Sequence, residues 1–259
     1  MTNLKNRVAL ITGSGRGIGR AIGIALAKAG ASVALTARTA GELEEAVGVI
    51  RAAGGTAVGI VADLMNKDAV PALMRDVNAK LGPIEILVNN AGIGSSSDPK
   101  PVANFNDEFW ETTLYLNLTV PYKLSKAVLP TMLAKKWGRI INVASINGKI
   151  PSLHGVAYTA SKHGLLGLTR TLALEVAKEG VTVNAICPGP VHTAMNDKRI
   201  EYDAQRRGLS FAEIEQAMTP IGGRLEPDDI APMAVFLAAD EARMITGQAY
   251  NICGGVLLY

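Results

Sequence analysis

Tyr158 and Lys162 stand four residues apart in a stretch with helical periodicity. That spacing puts a phenol and an ammonium on one helix face, one turn apart. A free tyrosine titrates near ~10 and exchanges protons poorly at neutral pH. A cation held beside it favours the phenolate and lowers its pKa by roughly 1–3 units. That brings it toward the range useful for general acid/base work. Tyr-xxx-Lys alone is a common pairing, and its neighbours give it meaning. Ser145 ends an apolar run thirteen residues earlier, and its hydroxyl can hold a substrate oxygen. Asn117 lies inside a long helical pattern close to Pro121, where local preference disfavours it. Such departures mark functional positions, and here the amide can order a water.

A second group of residues suits a phosphate. Thr12-Gly13-Ser14-Gly15-Arg16-Gly17-Ile18-Gly19 follows an apolar strand pattern and opens a helical one. Glycines there permit a tight turn and let backbone N–H groups approach a pyrophosphate, while the helix N-terminus adds partial positive charge. The spacing is TGxxxGIG, which differs from the usual dinucleotide fingerprint. The next strand pattern ends Leu35-Thr36-Ala37-Arg38. NAD-binding folds place an acid near this point to accept from the ribose 2′-OH. Ala37 followed by Arg38 suits a 2′-phosphate instead, and Arg16 adds a second positive charge. NADPH/NADP+ is therefore expected over NAD(H). Asp63 either accepts from the adenine amino group or caps the turn that follows it.

The elements that must position these groups can be read from periodicity. Strand patterns cover Val8–Thr12, Val33–Ala37, Ala57–Ala62, Ile86–Asn89, Arg139–Val143, Val181–Ile186 and Gln248–Ile252. Most are apolar on both faces, as strands buried between helix layers are. Helical patterns cover Gly17–Gly30, Glu42–Ala53, Lys67–Leu81, Asp107–Lys136 and Ala157–Lys178. The alternation implies parallel pairing with right-handed crossovers. The expected fold is α/β, a single Rossmann-type doubly wound sheet of seven parallel strands with helices on both faces. Ligands then bind at the carboxyl edge of the sheet, where Ser145 sits. Gly92–Pro101 reads as a surface loop. The charged stretch from His192 to about Ser210 breaks the α/β rhythm. It reads as irregular, with the substrate loop taken as residues 192–218. Met195 in that loop, with Asn147 and Ser145, is a candidate substrate contact. His154 serves either substrate contact or loop structure. His163, Trp110 and Trp137 read as packing or solvated residues, and Cys187 and Cys253 as buried inert thiols.

Composition excludes several classes. The 259 residues are 48% hydrophobic, and 26 basic against 23 acidic residues leave a formal charge of +3. That balance is too even for a nucleic-acid protein. Two cysteines rule out a disulfide scaffold or a cysteine-rich zinc site, so no metal is expected. The start of the chain lacks the apolar core of a signal peptide, and no apolar run reaches ~18 residues. A cytoplasmic protein without membrane partners is expected, with all of residues 1–259 in one cofactor-binding and catalytic domain. A hydrolase is disfavoured because no GxSxG elbow exists. A non-catalytic nucleotide-binding scaffold is disfavoured because Tyr158, Lys162 and Ser145 are all present.

In this order, Thr12-Gly13-x-x-x-Gly17-Ile18-Gly19, Asp63, Asn89-Asn90-Ala91-Gly92, Asn117, Ser145, Tyr158-x-x-x-Lys162 and Pro188-Gly189, the chain resembles a short-chain dehydrogenase/reductase from about Asn6 to Tyr259. The resemblance implies hydride exchange between a nicotinamide and a carbonyl or secondary alcohol, with Tyr158 as general acid/base. It implies that Lys162 lowers the tyrosine pKa and binds the nicotinamide ribose. Ser145 would orient the carbonyl, and Asn117 would hold a water in a proton relay. Leu64, Asn90, Ala91 and Gly92 would approach the cofactor, and Pro188, Gly189, Val191 and Thr193 would contact the nicotinamide. A strand order of 3-2-1-4-5-6-7 and a homotetramer are also implied. Three segments resemble 3-oxoacyl-carrier-protein reductases and aromatic-polyketide ketoreductases. They are Ser145-x-x-Gly148-Lys149 with His154, Ala160-Ser161-Lys162-His163-Gly164, and Asn251-Ile252-Cys253-Gly254-Gly255. A 3-oxoacyl thioester or polyketide is then the expected substrate. A sugar, sugar acid or small cyclic alcohol is the alternative.

Overall fold

The computed structural model describes residues 3–259; Met1 and Thr2, at the start of the stretch read for a signal peptide, lie outside it. Among the described residues there are seven strands: β1 (Val8–Thr12), β2 (Ser32–Ala37), β3 (Ala57–Val61), β4 (Ile86–Asn89), β5 (Gly138–Val143), β6 (Val181–Pro188) and β7 (Ala249–Ile252). They form one sheet in the order β3-β2-β1-β4-β5-β6-β7, and every pairing is parallel. The chain builds outward in both directions from β1 and β4. A crevice therefore opens between them at their carboxyl ends.

Alternation along the strands sorts the core into two layers. Ala9, Ile11, Val33 and Leu35 point to one face, which α1 (Gly17–Lys28), α2 (Ala40–Ala52) and α9 (Pro227–Ala238) cover. Val8, Leu10 and Ala34 point to the other, covered by α3 (Ala69–Leu81), α5 (Val120–Lys135) and α6 (Val156–Val176). The edge strand β7 is only half-buried throughout, since it lacks a neighbour on one side. Strand and helix ends differ from the sequence reading by one or two residues at most positions, as terminal turns fray between criteria.

Three differences are larger. The stretch after His192 is helical: α7 (Ala194–Arg207) and α8 (Phe211–Gln216) replace the expected irregular loop. Thr193 caps α7 by accepting from the Asn196 N–H, and Gly208, at φ 66°, ends it. Ser210 and Glu213 form a reciprocal capping box on α8. Only Ile200 and Ala204 of α7 are buried, so the apolar stripe that signals a helix is too thin to read. The helix α9 has no counterpart among the sequence-read elements. It opens with a box between Glu226 and Asp229 and carries Pro232 inside it. The single helix expected over Asp107–Lys136 is divided. It runs as α4 (Asp107–Leu114), a π-helical turn over Tyr115–Thr119, and α5. Among the described residues no helix is long and apolar enough to cross a membrane, and no cluster of His, Cys, Asp and Glu could hold a metal.

Candidate active site

A cavity of about 980 Å³ opens over the carboxyl edge of the sheet. At its inner end β5 delivers Ser145, two residues past Val143. The Ser145 hydroxyl accepts from the Asn147 N–H at 3.1 Å and starts the short turn Ile146–Gly148. The helix α6 begins at the same edge and presents Tyr158 and Lys162 into the cavity from successive turns. The Lys162 ammonium lies 5.6 Å from the centre of the Tyr158 ring. Lys162 is buried, and its Nζ donates to the Val143 carbonyl at 2.8 Å. An ammonium has three protons, so this bond uses one of them.

Burial lowers the Lys162 pKa from 10.5 to about 8. Burial also pushes the Tyr158 phenol above its ordinary value, and a hydrogen bond with Ser145 pulls it partly back. The direction is opposite to the expected lowering by Lys162. Desolvation is the dominant cause, and Lys162 is not among the groups that move the phenol. Cys187, the penultimate residue of β6, stands beside the pair. Its thiol is buried and is held high by desolvation.

Asn117 sits in the π-helical turn and is buried. Its Oδ1 accepts from the Ile93 N–H at 2.8 Å, and its Nδ2 donates to the Ile93 carbonyl at 3.0 Å and to Ser161 Oγ at 3.1 Å. Ser161 Oγ in turn donates to the Tyr158 carbonyl at 2.7 Å. Both amide protons are committed to the protein, and the side chain stays behind the cavity wall. Ser161 had no separate signal in the sequence, because its contribution depends on a carbonyl one turn earlier.

The opposite end of the cavity is built by the glycine loop. Gly13, Gly15, Arg16, Gly17 and Ile18 line it. Gly13 adopts φ 63°, and a Cβ there would stand 2.8 Å from Ala91 Cα, so only glycine lets the loop cross the end of β4. Asn90 shapes the same crossing by donating to the Thr12 and Gly13 carbonyls at 2.9 and 3.0 Å. Arg16 occupies the N-cap of α1 without a side-chain cap. The first-turn N–H groups of α1 are thus left uncapped at the cavity, the donor set that a diphosphate requires. Ser14 and Gly19 depart from the expected role of cofactor contact. Ser14 is buried, donating to the Ile11 carbonyl at 2.8 Å and accepting from the Thr36 N–H at 2.9 Å, so it braces β1 to β2. Gly19 packs under Asn90.

Arg38 is exposed at the rim and makes no ion pair among the described residues. Asp63 makes the turn-capping bond, its Oδ1 accepting from the Met65 N–H at 3.0 Å, and it also lines the cavity. Leu64, Ala91, Gly92, Pro188, Gly189, Val191 and Thr193 complete the wall. Asn147 and Met195 also line it, whereas His154 does not. The His154 Nδ1 hydrogen-bonds the Tyr202 hydroxyl on α7, with His154 itself at φ 58°. His163 is exposed on α6 and its Nδ1 meets the Thr159 carbonyl. Arg199, held by Asp203 at 2.7 Å, donates to the Leu153 carbonyl at 3.1 Å and tethers α7 to the same loop.

The model of the short chain dehydrogenase family matches residues 7–204. The chain is 39% identical to a D-beta-hydroxybutyrate dehydrogenase of Cupriavidus necator, covering 97% of this chain and 98% of the relative. It is 37% identical to a 3-oxoacyl-acyl-carrier-protein reductase of Vibrio harveyi, covering 99% of each. Among solved structures, a variant of actinorhodin polyketide ketoreductase crystallised with NADPH superposes with a TM-score of 0.93 at 37% identity over the whole of both chains. With the serine, tyrosine and lysine gathered at one end of the cavity and the uncapped helix start at the other, the chain belongs to the short-chain dehydrogenase family.

Proposed function

We propose that this chain interconverts a carbonyl and a secondary alcohol with NADP(H), through Tyr158, Ser145 and Lys162. The observation that carries this reading is one cavity with a proton-exchanging triad at its inner end and an anion-ready helix start with Arg38 at its outer end. A bound nicotinamide supplies hydride exchange with the substrate carbon. The chain supplies the rest. Tyr158 gives a proton to the substrate oxygen, or takes one in the reverse direction. Ser145 uses its Oγ as an acceptor for the Asn147 N–H, and the proton it shares with Tyr158 would turn to the same oxygen as charge develops there. Lys162 uses its uncommitted protons on the cofactor ribose and keeps a positive charge beside the phenol. The first turn of α1 holds the diphosphate, with Gly13, Gly15, Gly17 and Ile18 bordering it. Arg38 and Arg16 hold the 2′-phosphate.

A 3-oxoacyl thioester or polyketide is the substrate class proposed first, in keeping with the ketoreductase and acyl-carrier-protein reductase relatives. A small hydroxy acid or sugar acid is the second reading, favoured by the hydroxybutyrate dehydrogenase relative. Asn147 and Met195 are the proposed substrate contacts, with α7 and α8 as the movable cover. The whole chain acts as one cofactor-binding and catalytic unit. A homotetramer in the cytoplasm is proposed; exposed Tyr122 on α5, Leu174 on α6 and Phe236 on α9 are apolar positions that a second copy would cover. NADPH consumption with a 3-oxoacyl thioester, a 3-oxo acid, a sugar acid and a cyclic ketone tests the reading. Turnover of the thioester ahead of the others is expected. No turnover of any carbonyl, with the alcohols equally inert, overturns it.

A further inference from the structure

Thr39-Ala40-Gly41-Glu42 carries the sequence of a capping box, and the structure does not form one. Thr39 is the N-cap of α2, and it makes no side-chain cap bond. The same chain completes such boxes on α8, between Ser210 and Glu213, and on α9, between Glu226 and Asp229. A lost cap typically costs ~1 kcal/mol. Glu42 gives up this local partner and turns its carboxylate over the glycine loop, into the wall of the cavity.

The space it enters exists because residue 15 is glycine. A Cβ at Gly15 would stand 2.7 Å from Glu42 Oε2, 2.9 Å from Glu42 Cβ and 3.2 Å from Ala37 Cβ. Glu42 therefore brings a carboxylate beside Ala37, the end of β2, where NAD-binding folds place their ribose-binding acid. The acid comes here from α2 and not from the strand. Its Oε1 lies 3.7 Å from Arg16 Nη1, and that arginine is largely solvated. An ion pair so exposed adds little to stability, so stability does not account for the arrangement.

We propose that Glu42 is a specificity-determining residue that restrains the preference for the phosphorylated cofactor. The inference rests on the NADP(H) reading above. The carboxylate neutralises Arg16, opposes a 2′-phosphate and offers an acceptor to an unphosphorylated ribose 2′-OH. Arg38 pulls the other way. The balance lets the chain bind both NADPH and NADH.

The test is cofactor binding, read by nicotinamide fluorescence without substrate, on the wild type, Glu42→Gln and Arg38→Ala, with thermal melting as a check on folding. Glu42→Gln is expected to tighten NADPH about tenfold and to leave NADH unchanged or weaker, with the gain shrinking at high salt. Adding Arg16→Ala to Glu42→Gln should then cost NADPH more than Arg16→Ala costs in the wild type, because the arginine has been freed. A ratio of NADPH to NADH affinity that stays at the wild-type value in Glu42→Gln overturns the inference. Equal weakening of both cofactors also overturns it, since that marks Glu42 as support for α2. Arg38→Ala addresses the underlying reading separately. If it leaves the ratio alone while Glu42→Gln raises it, Arg38 leaves the phosphate site and Glu42 stays. The opposite pattern keeps Arg38 and removes Glu42.

Discussion

Lys162 Nζ donates to the carbonyl of Val143 at 2.8 Å, so the helix that carries the acid/base pair is tied by a charged group to the end of the strand that carries Ser145. The lysine is buried for this purpose, and burial lowers its pKa to about 8. The fall from 10.5 corresponds to about 3 kcal/mol of penalty on the charged form. Below pH 8 both folded and unfolded chains carry the proton, and the fold bears the whole penalty. As pH rises from 8 toward 10.5, the folded lysine loses its proton first and the penalty fades. Lys162→Met should therefore raise the melting temperature at pH 7, despite an unpaired Val143 carbonyl that takes back roughly 1 kcal/mol. The gain should vanish near pH 10, and scanning calorimetry at the two pH values measures it. A variant less stable than wild type at both values contradicts this.

Tyr158→Phe should lower kcat by roughly 10²–10⁴-fold, the usual worth of a positioned acid/base. NADPH affinity should hold, because phenylalanine keeps the half-buried ring in place and leaves Arg38 and the glycine loop unchanged. Steady-state kinetics and cofactor titration separate the two effects. Near-normal turnover would remove the tyrosine from its role.

Ala37→Asp combined with Arg38→Ala should reverse cofactor use. The new carboxylate repels a 2′-phosphate, and the exposed guanidinium that would bind it is gone. The ratio of kcat/KM for NADPH and NADH reports the change. It is expected to fall by about two orders of magnitude, each replaced interaction accounting for about tenfold.

Ser161→Ala interrupts the route from Asn117 to the Tyr158 carbonyl. An amide proton of Asn117 and the carbonyl both lose a buried partner, at a cost of about 1–3 kcal/mol. We expect kcat to fall while KM for substrate changes little. Ser161→Thr should restore part of the loss because it keeps the hydroxyl. If alanine costs stability but leaves kcat intact, Ser161 only packs.

Tyr202→Phe breaks the bond to His154 and leaves the aromatic body in place. The α7 segment should open more often, so that proteolysis within residues 192–218 speeds up and KM rises while NADPH affinity is kept. Limited proteolysis with and without substrate checks this.

The sheet was legible because its strands are short runs of Val, Ile, Leu and Ala apolar on both faces, bounded by Gly, Asn or Arg. The reactive residues were legible because Tyr158 and Lys162 keep helical spacing and Ser145 ends a strand. What escaped had weaker physics behind it. The helix α7 buries two residues, so capping and charge pairs define it more than periodicity does. In α9 the apolar pattern is interrupted by Pro232 and lacks a polar stripe. Ser14 looked like a cofactor contact because of its place in the loop, but its hydroxyl is drawn inward by backbone groups of β1 and β2 that the sequence does not place. Glu42 was hidden for a related reason. Its spacing from Thr39 predicts a local cap, and only the gap above Gly15 shows where it goes instead.

The π-helical turn at Tyr115–Thr119 works as a phase shifter. One extra residue in a helix rotates everything after it by about 100° relative to what precedes it. Here α4 turns toward α6 and the reactive end, while α5 turns its apolar side to the sheet. One continuous element thus serves two surfaces that a regular helix could align with only one. Deleting a single residue from Tyr115–Thr119 would not merely shorten the helix. It would swing the apolar side of α5 away from the sheet or pull Asn117 off Ile93, so this segment should resist length changes.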